Sequence, residues 1–238
     1  MGSEMCIRDS IGSALVSRIH AREGKTVLAA RDEGRLKTLG AAFDAPYLSL
    51  DAAEPEDVKA AIKLCVDTHG RFDGIVNSVG SILLRPAHLT KIEDFDATVR
   101  VNLRSAFAVV HSATAALRKG GGSIVLVSTA AARTGLANHE AIAAAKAGVQ
   151  GLALSAASTY ASAGIRVNVV APGLIETPLA AAITSSEKAL DASKAMHAMG
   201  RIGQPDEVAS AIEWLLDCLL YTSPSPRDLS TSRMPSSA

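Results

Sequence analysis

Three kinds of side chain in the middle of this chain are equipped to move a proton or hold an oxygen. Lys146 stands in "AAAKAG", a cation in an otherwise small, apolar run. His139 lies seven residues before it and three before Ile142, a spacing that predicts one shared helical face. A free imidazole titrates near ~6.5 and suits acid–base work at neutral pH. The plainer alternative for His139 is a residue at a helix start that bonds a turn. Ser128 and Thr129 stand side by side upstream, and either hydroxyl can hold a carbonyl oxygen.

The elements that must position these groups alternate. "KTVLAA" (25–30), "YLSL" (47–50), "FDGIVNSVG" (72–80), "GSIVLVST" (122–129) and "IRVNVVAPG" (165–173) are short apolar runs and predict buried strands. Between them lie helical patterns. "IGSALVSRI" opens at Ile11, and "EPEDVKAAIKLCVDTHG" spaces Val58, Ile62 and Val66 helically before Gly70 stops it. One long helix is expected to include Asn102, another to carry Lys146 and end at Gly164, and a last one to start near Pro205. Strands apolar on both faces and separated by helices predict an α/β fold with one parallel sheet covered on both sides. Ligands of such sheets sit at the carboxyl ends of the strands. That rule selects Arg31, Asp51, the turn at 77–80, Ser128–Thr129 and the "APG" turn at 171–173.

Composition excludes several classes. Lys+Arg and Asp+Glu both number 24, so no charge excess points to nucleic acid or an anionic membrane. No apolar run reaches the ~20 residues of a membrane span, and a cytoplasmic enzyme-like domain is expected. The cysteines, Cys6, Cys65 and Cys218, lack metal-ligand spacing, and no metal is expected. Composition shifts after Asp217 into a stretch rich in proline, serine and threonine. "GSEMCIRD" and "CLLYTSPSP" can be encoded by opposite strands of one duplex, and both resemble translated sequencing adapters. Residues 1–10 and 218–238 are therefore read as adapter-like and set aside, the latter as disordered. The expected domain is 11–217, a fragment with incomplete first and last strands that is inactive as written.

Residues 11–217 resemble the short-chain dehydrogenase/reductase family along their whole length. The matching pieces are "IG" at the first helix, Asp51 after a strand, "NSVG", "VNL" with Asn102, "VLVST", Lys146, "RVNVVAPGLIETPL" and "GRIGQPDEVASAIEWLL". The resemblance implies a doubly wound, Rossmann-type single domain that binds NAD(H) or NADP(H) and interconverts carbonyl compounds and secondary alcohols. It implies cofactor roles for Gly12, Asp51, Asn77, Gly80, Lys146, Pro172, Gly173, Ile175 and Thr177. Asp51 would accept from the adenine amino group, or serve as a turn or cap aspartate. Asn77 and Gly80 would lay backbone against the ribose, and glycine permits that approach. Thr177 would donate to a diphosphate or carboxamide, or cap the helix after Pro178. The family's T-G-x-x-x-G-I-G loop registers on Ile11 and Gly12, placing Met5, Cys6 and Ser10 at its threonine and first two glycines.

Cofactor choice rests on "LAARDEGR". Where an acidic residue would select NAD, Ala30 stands, followed by Arg31, whose guanidinium suits a 2′-phosphate. NADP(H) is thus favoured over NAD(H), with Asp32 as ribose acid the other reading. The family's catalytic set is a Tyr-x-x-x-Lys pair, a serine and an asparagine. Lys146, Asn102 and a hydroxyl at Thr129 or Ser128 match it, but Ile142 stands where the tyrosine belongs. The proton donor is therefore missing or unorthodox, with His139, Thr129 or water as substitutes. The expected activity is an NADP(H)-dependent oxidoreductase on a carbonyl or alcohol; the other reading is a non-catalytic dinucleotide-binding protein. The stretch from Leu179 to Gln204 resembles the family's substrate lid, and a homodimer or tetramer packed through the two long helices is implied.

Overall fold

A computed structural model describes residues 10–217, the side chain of Ala182 excepted; the expectations for residues 1–9 and 218–238 lie outside the described residues. The chain runs α1 (Ile11–Ala21), β1 (Leu28–Ala30), α2 (Glu33–Phe43), β2 (Tyr47–Ser49), α3 (Pro55–His69) and β3 (Gly74–Asn77). It continues through α4 (Ile92–Val99), a π-helical turn (Arg100–Arg104), α5 (Ser105–Leu117), β4 (Gly122–Val127), α6 (Ala131–Thr134) and α7 (Glu140–Tyr160). It closes with β5 (Ile165–Val170), α8 (Ala181–Thr184), α9 (Glu187–Met196) and α10 (Pro205–Leu216).

Local chemistry sets these boundaries. Ser10 caps α1 through a reciprocal bond with Ser13, and Asp32 caps α2 by accepting from the Arg35 N–H at 3.0 Å. Gly70 ends α3 in the left-handed conformation at φ 74°, which glycine enters without steric cost. Pro205 starts α10, where its missing N–H costs nothing. At the other end of α10, the Arg166 guanidinium on β5 donates to the carbonyls of Leu215, Leu216 and Asp217, tying helix to sheet.

All five strands are parallel, as the alternation predicts. They form two sheets among the described residues, β1–β2 and β3–β4–β5, instead of the single five-stranded sheet expected. The expected first strand falls on residues before Ser10, outside the described ones. β4 shows how both faces are covered. Ile124 and Leu126 point into a core with Val58, Val109, Leu117 and Val149, whereas Val125 points to the opposite face among Leu15, Val208 and Ile212. This alternation is the period of two that a strand imposes. The fold is thus a doubly wound α/β domain, with α3, α5 and α7 on one face and α1 and α10 on the other.

Candidate functional site

The sequence predicts one long helix through Asn102; the structure interrupts it. At Arg100–Arg104 the ladder shifts to π-type bonding, with the Ser105 N–H donating to the Arg100 carbonyl five residues back. Such π-turns concentrate at functional positions. Here the shift turns the Asn102 side chain inward, where it is 1% exposed. Its amide donates to the Thr98 carbonyl (2.9 Å) and the Ser81 hydroxyl (3.0 Å), while its oxygen accepts from the Ser81 N–H (3.2 Å). Asn77 does the same one turn along. Its oxygen accepts from the Val79 N–H, and its amide donates to the Ser105 hydroxyl. Two buried asparagines thus pin the 77–81 turn to the helix behind it.

Gly80 sits in that turn because nothing larger fits comfortably. A Cβ there would lie 3.1 Å from Asn102 Oδ1 and 3.5 Å from Lys146 Nζ. The predicted trio of Gly80, Asn102 and Lys146 is therefore brought together. Lys146 is 8% exposed and donates to the Val127 carbonyl at 2.8 Å, with no acidic partner among the described residues. Burial pulls its ammonium down from 10.5 to about 8, because desolvation penalises the charged form.

The two hydroxyls separate cleanly. Ser128 is buried, donates to the Lys146 carbonyl at 2.8 Å and accepts from the Gln150 amide at 2.9 Å, so its bonds hold β4 against α7. Thr129, half-buried at the end of β4, makes only long contacts, to the Pro172 carbonyl (3.4 Å) and from the Ala131 N–H (3.3 Å). Of the pair, Thr129 has a hydroxyl available to a ligand. Ile142 is buried beneath this end of α7. His139 does not share the predicted helical face with Lys146. It occupies the N-cap just outside α7, and its ring bonds the Ala137 carbonyl at 2.7 Å.

The second group lies at the ends of β1 and β2. Asp51 accepts from the Ala53 N–H (3.0 Å) and from Arg100 (2.8 Å), which lowers its pKa, the Ala53 bond foremost. Arg100 also reaches Glu54, which Arg104 shares. Arg31 is exposed and makes no ion pair among the described residues, while Asp32 is occupied as the α2 cap. Gly12 brings the start of α1 close to the 77–80 turn, since a Cβ there would lie 3.3 Å from Ser78 Oγ.

The third group is the 171–177 turn. The Pro172 carbonyl accepts from the Ala130 N–H, and Ile175 bridges to Gly203. Gly173 is packed against the His197 ring. Thr177 stands at the N-cap before Pro178 without making a cap bond, its hydroxyl at 3.4 Å from the Ile175 carbonyl. Sequence reasoning missed Arg100, Gln150 and His197. Gln150 was findable, four residues after Lys146 and so on the same helical face; the others act through partners far along the chain.

With this geometry in hand, the comparisons decide the family. Residues 6–219 match the family model described as enoyl-(acyl carrier protein) reductase. The chain belongs to the short-chain dehydrogenase/reductase family. It is 39% identical over 170 residues to cyclohexanol dehydrogenase of Acinetobacter sp. (strain SE19), covering 70% of this chain and 65% of that protein. The match thus spans just under two thirds of that relative's length. It is 33% identical to cis-4-hydroxycyclohexanecarboxylate dehydrogenase of Sinomonas cyclohexanicum, covering 86% of this chain and 84% of the relative. Among solved structures, a short-chain type dehydrogenase/reductase from Mycobacterium ulcerans superposes with a TM-score of 0.85 at 26% identity, covering 90% and 82% of the two chains. ElxO with NADP bound superposes at 0.80 and 27% identity, covering 88% of each. Within this short-chain dehydrogenase/reductase chain, the Lys146 cradle, the Asp51 group and the 171–177 turn all stand at strand carboxyl ends.

Proposed function

We propose that this protein is an NADP(H)-dependent oxidoreductase acting on a carbonyl compound or secondary alcohol. The observation that carries the reading is the cradle of Gly80, Asn102 and Lys146, a buried cation without a counter-ion among the described residues, beside a turn kept free of side-chain bulk. That donor set fits the nicotinamide ribose of a dinucleotide. Asp51 fits the adenine, with Gly12 at the α1 start and Pro172, Gly173, Ile175 and Thr177 on the nicotinamide side. The pyrophosphate loop of the family registers before Gly12, and apart from Ser10 and Ile11 those residues lie outside the described ones. Arg31 favours the 2′-phosphate because Asp32 is committed to capping α2.

The bound dinucleotide supplies or accepts the hydride. The chain's own residues do the rest. Thr129 donates its hydroxyl to the substrate oxygen, orienting it, and Lys146 sets a positive potential over the site that favours a developing negative oxygen. With the ammonium pulled down to about 8, this field predominates at neutral pH and is lost as pH rises through that value. Ile142 has no proton to give, so this reading assigns the proton to solvent water. The reading gives His139 no part in proton transfer, because its ring bonds the Ala137 carbonyl at the N-cap of α7. A cleft of about 360 Å³ lies beside the 171–175 turn, lined by Leu174, Ile175, Met199 and Val208 together with His197, Arg201 and Glu207.

A cytoplasmic homodimer or tetramer is part of the proposal. Phe107 on α5 and Leu154 on α7 are both more than half exposed, which supports packing through those helices. Buried, apolar Ile142 favours one second reading, a dinucleotide-binding protein without turnover. Following NADPH consumption against cyclic ketones and 3-oxoacyl thioesters separates the two. Turnover that survives His139→Ala supports the oxidoreductase; tight NADPH binding with no turnover on any substrate supports the second.

A further inference from the structure

We propose that His197 is a latch that holds the α9 segment against the Gly173–Leu174 turn while its ring is neutral and lets go when it is protonated. His197 follows directly after α9, and both ring nitrogens are engaged. Nδ1 lies 2.7 Å from the Ser193 carbonyl and Nε2 lies 3.1 Å from the Leu174 N–H. A carbonyl only accepts and an amide N–H only donates. The proton therefore sits on Nδ1, and the lone pair of Nε2 takes the Leu174 N–H. A second proton on Nε2 would point straight at that N–H, so the imidazolium cannot keep the bond.

Little else secures the segment. Of the α9 residues only Ser193 is buried, and it is the Ser193 carbonyl that receives the ring. Gly173 completes the seat, because a Cβ there would lie 2.5 Å from His197 Nε2. The charged groups around the ring do not compete for its role. Arg201 and Glu207, which line the same cleft, pair at 2.6 Å, and Arg201 together with the Gln204 N–H holds Glu207 down to about 2. From the turn, Glu176 accepts from the Gln204 side chain; on α9, Lys194 pairs with Asp191. Arg201 and Glu207 therefore keep their charges between pH 8 and 5.5.

The latch closes over the turn assigned above to the nicotinamide, and that placement rests on the proposed function; the latch itself needs no cofactor. The test is tryptic cleavage of the full chain at Lys188 and Lys194, at pH 8 and pH 5.5, without nucleotide. Each rate is divided by that of His197→Phe at the same pH, which cancels the protease's own pH dependence. Wild type is expected to be cut roughly fivefold more slowly than His197→Phe at pH 8, as one lost hydrogen bond implies, and equally at pH 5.5. His197→Gln, which cannot take up a proton, is expected to show a ratio that does not change with pH. Equal wild-type and His197→Phe rates at pH 8, a wild-type difference that persists at pH 5.5, or a His197→Gln ratio that collapses with acid overturns the latch. None of these results bears on whether NADPH is turned over.

Discussion

Two charged centres stand at the strand ends of this domain, and they are built on opposite principles. Around Asp51, two arginines and two carboxylates share a half-exposed network in which every charge has a partner. Around Lys146, one cation is buried against the Val127 carbonyl with no carboxylate paired to it among the described residues. Exposed pairs cost little to form and contribute little. A buried lone ammonium works against folding, by about 3 kcal/mol for a shift from 10.5 to about 8. The contrast is the reason the proposed function assigns the chemistry to Lys146 and ligand orientation to Asp51.

The sharpest way to break that contrast is Lys146→Met. Turnover of NADPH is expected to fall roughly a hundredfold or more, while stability at pH 7 rises, offset in part by the lost bond to Val127. The sign follows from proton binding. Between about pH 8 and 10.5 the folded chain holds fewer protons on Lys146 than the unfolded chain does, so the wild type gains stability as pH rises there. The advantage of Lys146→Met in urea unfolding should therefore shrink from pH 8 to pH 10.5. An advantage that stays constant removes the buried-cation argument.

Next in size is the split between the neighbouring hydroxyls. Thr129→Val is expected to lower kcat roughly tenfold or more and leave the urea midpoint in place. Ser128→Ala should cost about 1–2 kcal/mol of stability, because the Gln150 amide loses its acceptor and the Lys146 carbonyl its donor. Reversed phenotypes would return the catalytic role to Ser128.

At the Asp51 end the effects are smaller. Arg31→Ala is expected to weaken NADP+ binding roughly tenfold and leave NAD+ unchanged in paired titrations; an unchanged NADP+ preference defeats the assignment. Arg100→Met should change the dissociation constant less than about threefold, since its ion pairs are solvated. A large loss there would mean that Asp51 depends on Arg100 for its orientation.

The sequence was a good guide where one local signal sets one local structure. Gly70 stops α3, Pro205 starts α10, and the alternating apolar runs are strands. It was a poorer guide where the outcome depends on distant partners. The π-turn at Asn102 uses the same residue types as an α-turn, and nothing in "RVNLR" signals it. His139 reads as part of a helical face until the helix is seen to begin one residue later. The Ser128–Thr129 pair stayed open because chemistry alone does not rank two hydroxyls; their different burial just past the end of β4 is a product of the tertiary packing. The division into two sheets is likewise a matter of which strands find neighbours, not of any single strand's sequence.

The central claim is that a dinucleotide places its nicotinamide end over Gly80, Asn102 and Lys146. It is tested most directly by titrating NADP+ into the 15N-labelled full chain and following the amide resonances. The account predicts saturable shifts at the Gly80 and Gly173 amides and the Asn102 side-chain amide, lost in Lys146→Met. Saturable binding that leaves all three unmoved would contradict it.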